Sequence, residues 1–339
     1  MSRKALNVPF SVLKKSALAQ KYVMNSSRFG MPSFVQIEVT TKCNIKCPLC
    51  LRTIDPARII DADMSLDVFK TLINQLKGRT GSISLVGLGE PLLNPEIFSM
   101  ISFAKKNGLE VSLIDNFTLI DREKSLALID SELDFLYVSF DNVSKEDFEK
   151  RRTGASFENV VENIRLFIKT RNEIQTKQPV FLFKSTISQN NFAEIPKLVK
   201  FAEDLGADGI NFGKMMDEDE SRMVTPPPLT EKDLPESKIA IDPCELSESY
   251  VCDATRGCYV TFDGKVLPCG LMAESVSRAH YPKLQLGDLQ SDKLSDIWRS
   301  SRFKQLRKNI ESGKYLPECA TCGGCKKPPK NLNPKSHCT

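Results

Sequence analysis

The sequence predicts an α/β fold: an incomplete parallel (β/α)6 barrel, TIM-like in plan, followed by a small cysteine-rich domain. Three observations lead there. Strand-like and helix-like apolar patterns alternate from residue 34 to about 212, and such alternation implies right-handed crossovers and a parallel sheet. The 11 cysteines fall into two sets, three within residues 43–50 and eight from 244 onward. The chain has 339 residues, enough for one large or two ordinary domains. The expected division is an N-terminal extension (1–33), a barrel domain (34–235) and a C-terminal domain (236–339).

In the extension, residues 14–22 have the pattern of a short amphipathic helix. Phe34 to Thr40 alternates apolar and polar side chains, as a strand does. Ser65 is a good N-cap, with Met64 and Phe69 at hydrophobic-staple positions, and Leu66, Phe69, Leu72, Ile73 and Leu76 follow helical spacing. A short strand, Ile83 to Val86, ends in Gly87-Leu88-Gly89-Glu90-Pro91. Asn94-Pro95 then predicts a helix with proline at its first position. Strands at 110–114, 135–140, 180–186 and 209–212 alternate with helices at 122–129, 157–169 and 193–205. The acidic run 217–220 and the prolines 226–228 read as linker. Beyond it, Asp263-Gly264 between two apolar runs signals a hairpin. A helical run follows with Leu294, Ile297, Trp298, Leu306 and Ile310.

Composition narrows the function. With 41% hydrophobic and 27% charged residues, the chain reads as globular and soluble. A net charge of +4 argues for no particular partner, and no concentrated basic and aromatic patch points to nucleic acid. The N-terminal sequence lacks the apolar run of a signal peptide, and no stretch approaches the length of a membrane span, so a cytoplasmic protein is expected. Cysteines in a reducing compartment are metal ligands more often than disulfides. The only histidines, His280 and His337, lie too late in the chain for histidine-centred catalysis in the barrel.

Cys43, Cys47 and Cys50 stand in C-x3-C-x2-C spacing on the loop that leaves the first strand. Thiolate-rich sites select zinc or iron–sulfur clusters. A closed zinc site needs a fourth ligand, and the next cysteine is Cys244. Three thiolates on a four-iron cube leave one iron open to another ligand. This spacing, on a loop after a first strand, resembles the radical S-adenosylmethionine (radical SAM) superfamily. The resemblance implies the barrel fold, a [4Fe-4S] cluster, and S-adenosylmethionine chelating the open iron. It also implies an active site at the C-terminal ends of the strands, where the cysteine loop, the Gly-Glu-Pro loop, Asn116 and Asp141 all fall.

The resemblance carries further residues. Gly89 and Glu90 match the superfamily's Gly-Gly-Glu-Pro loop, with Leu88 in place of the first glycine; its backbone binds the amino group of the cofactor's methionine. Asp115-Asn116-Phe117 resembles its Thr-Asn-Gly turn but lacks the threonine and the glycine. Ser139-Phe140-Asp141 is similar to its Ser-x-Asp strand end, which holds the ribose or carboxylate end. Arg151 or Arg152 follows, and the resemblance favours Arg151 as a bidentate partner of the methionine carboxylate. Leu49 stands where an aromatic residue is common and can pack against adenine.

The later cysteines are 244, 252, 258, 269, 319, 322, 325 and 338. A hairpin, a helix and Cys319-x2-Cys322 resemble the auxiliary-cluster domains called SPASM or, shortened, twitch; a zinc ribbon is the alternative. The C-x2-C-x2-C ending at Cys325 departs from the full SPASM pattern. One auxiliary cluster would use Cys252, Cys269, Cys319 and Cys322; a second would recruit from Cys258, Cys325, Cys338 and Cys244.

The function expected from the resemblance is reductive cleavage of S-adenosylmethionine and hydrogen abstraction by the 5′-deoxyadenosyl radical. The expected substrate is a peptide or protein side chain, with a small alcohol or sugar as the alternative. A flavodoxin or ferredoxin would supply the electron. From another class, a metal-binding or nucleic-acid-binding protein without activity is the competing reading.

Overall fold

The computed structural model describes residues 30–214, 234–242, 252–275 and 278–319. The expected helix at 14–22, the linker runs and Cys244, Cys322, Cys325 and Cys338 lie outside the described residues.

Six strands form the parallel core of the sheet: β1 (Phe34–Ile37), β2 (Ser82–Leu85), β3 (Glu110–Asp115), β4 (Phe135–Ser139), β5 (Val180–Ile187) and β6 (Gly209–Lys214). They pair in chain order, and β7 (Ala240–Asp242) adds in parallel to β6. At the other side β8 (Gly257–Val260) pairs in parallel with β1, followed by antiparallel β9 (Lys265–Leu267) and β10 (Gly287–Asp288). Among the described residues this is one ten-stranded sheet with β10 and β7 at its two ends, an unclosed barrel.

Helices cover its outer face: α1 (Leu51–Ile54), α2 (Leu66–Leu76), α3 (Ile97–Lys106), α4 (Arg122–Asp130), α5 (Lys145–Arg151), α6 (Phe157–Glu173) and α7 (Ile195–Leu205). Period-two alternation sorts the side chains. Val35, Ile37, Ile83, Leu85, Val111, Leu113, Leu136, Val138, Phe181 and Phe183 are buried toward the helices. Phe140 packs on Phe148, Phe157 and Phe201 of those helices. The opposite face carries Gln36, Ser84, Ser112, Ser139, Lys184 and Asn211 and is half-buried. That face is polar toward the C-terminal ends of the strands, while Phe34, Phe135, Tyr137 and Leu182 lie on it toward the other end.

Local signals explain most boundaries. The Ser65 hydroxyl accepts from Val68 N and starts α2, while Met64 and Phe69 are fully buried. Three expectations are corrected. The first strand stops at Ile37 and not at Thr40, because Thr40 bridges Asp63 and Thr41 N donates to Ala62 O. Pro95 does not open α3. Asn94 is buried, its amide nitrogen donates to Val39 O and Met64 O, and its Oδ1 accepts from Glu96 N, which delays the helix to Ile97. The run from Leu294 to Ile310 is two helices, α10 (Leu294–Arg299) and α11 (Ser301–Glu311). Ser300 breaks it with an extended ψ of 153° and caps the second helix by accepting from Phe303 N. The two preceding helices are α8 (Gly270–Ser275) and α9 (Tyr281–Leu284).

Candidate active site and cluster-binding cysteines

The cysteine loop is anchored on every side. Ile45 is buried in the core, and Lys46 N donates to Thr153 O at 2.8 Å. Asn44 donates to Thr118 Oγ1 at 2.7 Å and accepts from Asn116 Nδ2 at 3.0 Å. Glu90 N reaches Lys42 O at 2.7 Å. Gly89 permits that approach: a Cβ there would lie 2.2 Å from Thr40 O. Cys43, Cys47 and Cys50 are all half-buried. Burial pushes Cys50 up to about 11, against a hydrogen bond from Arg52 N–H, and the charges of Cys47, Cys43 and Glu274 push it further. Burial also raises Cys47, while the Arg152 guanidinium draws it down. The raised thiols of Cys47 and Cys50 need added positive charge to become thiolates, and a metal centre supplies it. They do not converge on a single ion position. A cube that takes each thiolate at a different iron is the centre this donor set fits.

The Gly-Glu-Pro loop and the turn after β3 meet in a dry place. Glu90 and Asp115 are both buried, and the two carboxyl groups act on each other. Glu90 Oε2 also accepts from Asn116 N at 2.8 Å and Oε1 from Leu92 N at 3.1 Å. Burial raises both carboxyl groups above their ordinary range. Phe117 adopts φ of 60° where the family turn has glycine; its buried ring packs on Phe167 and Phe181, which offsets a strain of about 1–2 kcal/mol.

At the end of β4, Asp141 Oδ2 accepts from Arg152 Nη2 at 2.7 Å and Oδ1 from Thr186 N at 2.7 Å. Arg151 turns the other way: Nη2 donates to Ser188 Oγ at 2.8 Å, while Nη1 is buried without a partner. Between these groups lies a cavity of about 650 Å³, walled by Cys47, Leu49, Cys50, Gly87, Asp141, Arg151, Arg152, Lys184 and Glu274 among others. Gly87 is required there, since a Cβ would meet Tyr259 Oη at 2.7 Å. Below the cavity a polar row crosses the sheet. Ser139, Lys184, Asn211 and Asp242 stand in register, Lys184 Nζ donates to Asn211 Oδ1 at 2.5 Å, and Asn211 Nδ2 to Asp242 Oδ2 at 2.8 Å.

Of the predicted residues, the cavity gathers Cys47, Cys50, Asp141 and Arg151. Gly89, Glu90 and Asn116 instead brace the cysteine loop from behind, and Ser139 sits half-buried at the strand end. Arg152, the alternative to Arg151 in the sequence, also walls the cavity, whereas Lys184 and Glu274 were not legible as site residues. Arg152 is distinguished from Arg151 only by its partner, and Lys184 reads as one residue of a strand.

In the C-terminal segment the hairpin forms as expected, with Gly264 at φ of 86° and Tyr259 opposite Leu267. Cys258 on β8 and Cys269 after β9 are buried, and Cys252 and Cys319 half-buried. Burial pushes Cys258 up to about 12, with the Arg307 charge opposing. Gly270, next to Cys269, donates its N–H to Gln36 Oε1 at 2.9 Å, which brings α8 and Glu274 to the cavity. Gly323 and Gly324 lie outside the described residues.

Comparison with known proteins agrees with this geometry. The profile of the Radical SAM superfamily matches residues 37–213, and that of the SPASM iron–sulfur cluster-binding domain matches 252–325. The chain is 22% identical over 322 residues to the tungsten-containing aldehyde ferredoxin oxidoreductase cofactor-modifying protein of Pyrococcus furiosus, covering 85% of this chain and 86% of that one. It is 24% identical over 330 residues to the PqqA peptide cyclase of Rhodopseudomonas palustris, covering 88% and 83%. The fold is similar to Streptococcus suis SuiB bound to S-adenosylmethionine, with a TM-score of 0.65 at 16% identity, covering 91% of this chain and 75% of that one. No helix of the described residues is long and apolar enough to cross a membrane. The chain belongs to the radical SAM superfamily, as an enzyme that takes S-adenosylmethionine, a [4Fe-4S] cluster and auxiliary iron–sulfur chemistry in a SPASM domain.

Proposed function

We propose that this enzyme is a maturase that abstracts hydrogen from a side chain of a peptide or protein. One observation carries the reading. The cavity beside Cys47 and Cys50 opens at a rim where Leu49 is exposed by 47%. A flanking peptide can lie over such a rim while one side chain enters. The similarity to a peptide cyclase over most of the chain supports the same substrate class.

When bound, the cofactors supply one electron to the sulfonium and a 5′-deoxyadenosyl radical. The chain's own residues do the rest. In this reading Cys43, Cys47 and Cys50 hold the cluster, and the backbone around Gly87 and Gly89 receives the methionine amino group. Arg151 pairs with the methionine carboxylate through its unpartnered Nη1. Ser139 faces the ribose end. Asp141 acts through Arg152, holding that cation beside Cys47. Cys252, Cys258, Cys269, Cys319, Cys322, Cys325 and Cys338 furnish auxiliary ligands. A flavodoxin or ferredoxin donates the electron, in the cytoplasm.

The test incubates reduced, anaerobically reconstituted enzyme with synthetic peptides encoded beside its gene. The expected result is a mass change in one peptide, coupled to 5′-deoxyadenosine. A second reading, a small-molecule cofactor as substrate, draws on the cofactor-modifying relative. It replaces the first if no such peptide changes mass while a small molecule accelerates 5′-deoxyadenosine release.

A further inference from the structure

Tyr259 reaches into the barrel from the cluster-binding segment. It stands on β8 in register with Gln36, so its side chain shares the interior face of the sheet with Gln36 and with Glu38, two residues on. The ring is fully buried, and its hydroxyl donates to Glu38 Oε1 at 3.1 Å. Glu38 Oε1 also accepts from Arg278 Nη2 at 2.6 Å and Oε2 from Phe262 N at 3.4 Å, which holds the carboxylate in place beside the tyrosine. The hydroxyl is thereby fixed against the backbone of Gly87. A Cβ on Gly87 would lie 2.7 Å from Tyr259 Oη, 2.8 Å from Glu38 Cγ and 2.9 Å from Glu38 Cβ, so these two side chains supply its three nearest atoms.

The rest of the loop after β2 is anchored by backbone. Val86 N donates to Ile37 O at 3.1 Å on one side of Gly87, and Glu90 N to Lys42 O at 2.7 Å on the other. Gly87 itself walls the cavity beside Cys47 and Cys50, and Tyr259 does not. Close-packed interiors transmit a displacement across one contact, and a missing atom leaves a gap into which its neighbours relax. We propose that Tyr259 is a positioning residue for this loop: its hydroxyl, held by Glu38, keeps the Gly87 backbone at the cavity wall, so that the cluster-binding segment sets the affinity for S-adenosylmethionine. The proposal rests on the reading that the backbone around Gly87 and Gly89 receives the methionine amino group. Tyr259 acts through Gly87 alone. Its chain neighbour Cys258 is one of the proposed auxiliary ligands, so one short strand carries a cluster ligand and the support of the cofactor loop.

Equilibrium dialysis of S-adenosylmethionine against anaerobically reconstituted enzyme tests this. Tyr259→Phe keeps the buried ring and removes one oxygen. It is expected to bind the cofactor about fivefold more weakly, the scale of one ordinary hydrogen bond, with iron content and cluster absorbance unchanged. Arg278→Met, or Arg278→Lys should the first not fold, loosens the same joint but leaves Tyr259 on Glu38, and is expected to bind within about twofold of wild type. Wild-type affinity in Tyr259→Phe overturns the proposal. So does an Arg278 variant as weak as Tyr259→Phe, since the loss then comes from the joint and not from the hydroxyl. Gly87→Ala tells the proposal apart from the reading it rests on. Its Cβ displaces the loop directly and should weaken binding more than Tyr259→Phe does. A weak Gly87→Ala beside an unimpaired Tyr259→Phe sinks only the role of Tyr259. Wild-type affinity in Gly87→Ala sinks the placement of the cofactor on this loop, and the proposal with it.

Discussion

The Arg278 guanidinium donates to Glu38 Oε1 at 2.6 Å, with the Glu38 side chain fully buried and 14% of the Arg278 side chain exposed. Glu38 directly follows β1, the first strand of the barrel, whereas Arg278 belongs to the C-terminal segment. Glu38 also accepts from Tyr259 Oη at 3.1 Å and Phe262 N at 3.4 Å. One barrel carboxylate thus collects three donors from the cluster-binding segment. Removing one partner of a buried pair strands the other, at roughly 3–5 kcal/mol. Arg278→Met is therefore expected to lower urea-unfolding stability by about that amount, and Glu38→Gln/Arg278→Met to recover part of it. A change within about 0.5 kcal/mol for Arg278→Met, the usual surface range, would remove this joint from the account.

No further cysteine lies near Cys43, Cys47 and Cys50 in the sequence, the next being Cys244. Cys43→Ala, Cys47→Ala and Cys50→Ala are each expected to abolish S-adenosylmethionine cleavage, measured as 5′-deoxyadenosine. Cleavage at the wild-type rate by the triple variant would contradict the proposed cluster site.

The same triple variant is expected to stay brown after anaerobic reconstitution, because the C-terminal cysteines proposed to bind iron are separate in sequence from the first three. It should retain about 4 irons per chain with one auxiliary cluster and about 8 with two. Cys269→Ala should reduce that iron while leaving the first cluster assembled in an otherwise wild-type chain. Zinc in place of iron in the triple variant points to a zinc ribbon instead.

Arg151→Ala is expected to weaken S-adenosylmethionine binding by about 1.5–3 kcal/mol, the range for a hydrogen bond to a charged group, with cluster absorbance unchanged. Titration calorimetry or equilibrium dialysis reads this directly. Wild-type affinity returns Arg151 to a structural role on Ser188.

The Glu90–Asp115 pair gives stability a direction with pH. Burial raises both groups, so the folded protein keeps a proton that the unfolded chain has already released above the ordinary carboxyl range. The folded state then binds more protons, and stability falls as pH rises from that range toward the pair's own pKa. The slope is at most about 1.4 kcal/mol per pH unit for one proton. Denaturation of the wild type minus that of Asp115→Asn isolates it; equal slopes in the two proteins contradict a retained proton.

Much was legible because it is local. Six strands and the helices between them follow from side-chain periodicity, which any short stretch displays without reference to the rest of the chain. The cysteine loop, the caps at Ser65 and the Asp263-Gly264 hairpin follow from spacing and turn chemistry within a few residues. The displaced start of α3 was misread where a side chain's partner lies elsewhere: Asn94 is held by Val39, 55 positions away, whereas the break at Ser300 is a local cap on Phe303 N.

The sequence by itself determined the barrel, the three-thiol loop and the two sets of cysteines, since patterns and spacings carry those. Only the tertiary structure decided that β8 pairs with β1 and continues the barrel sheet, and that Arg152 takes Asp141 and leaves Arg151 facing the cavity. It alone brought Glu38 to Arg278 and Glu90 to Asp115. The physical reason is the same in each case. A buried charge or proton is stable only beside a specific partner in low dielectric, and that partner is chosen by how distant segments pack, which no local pattern encodes.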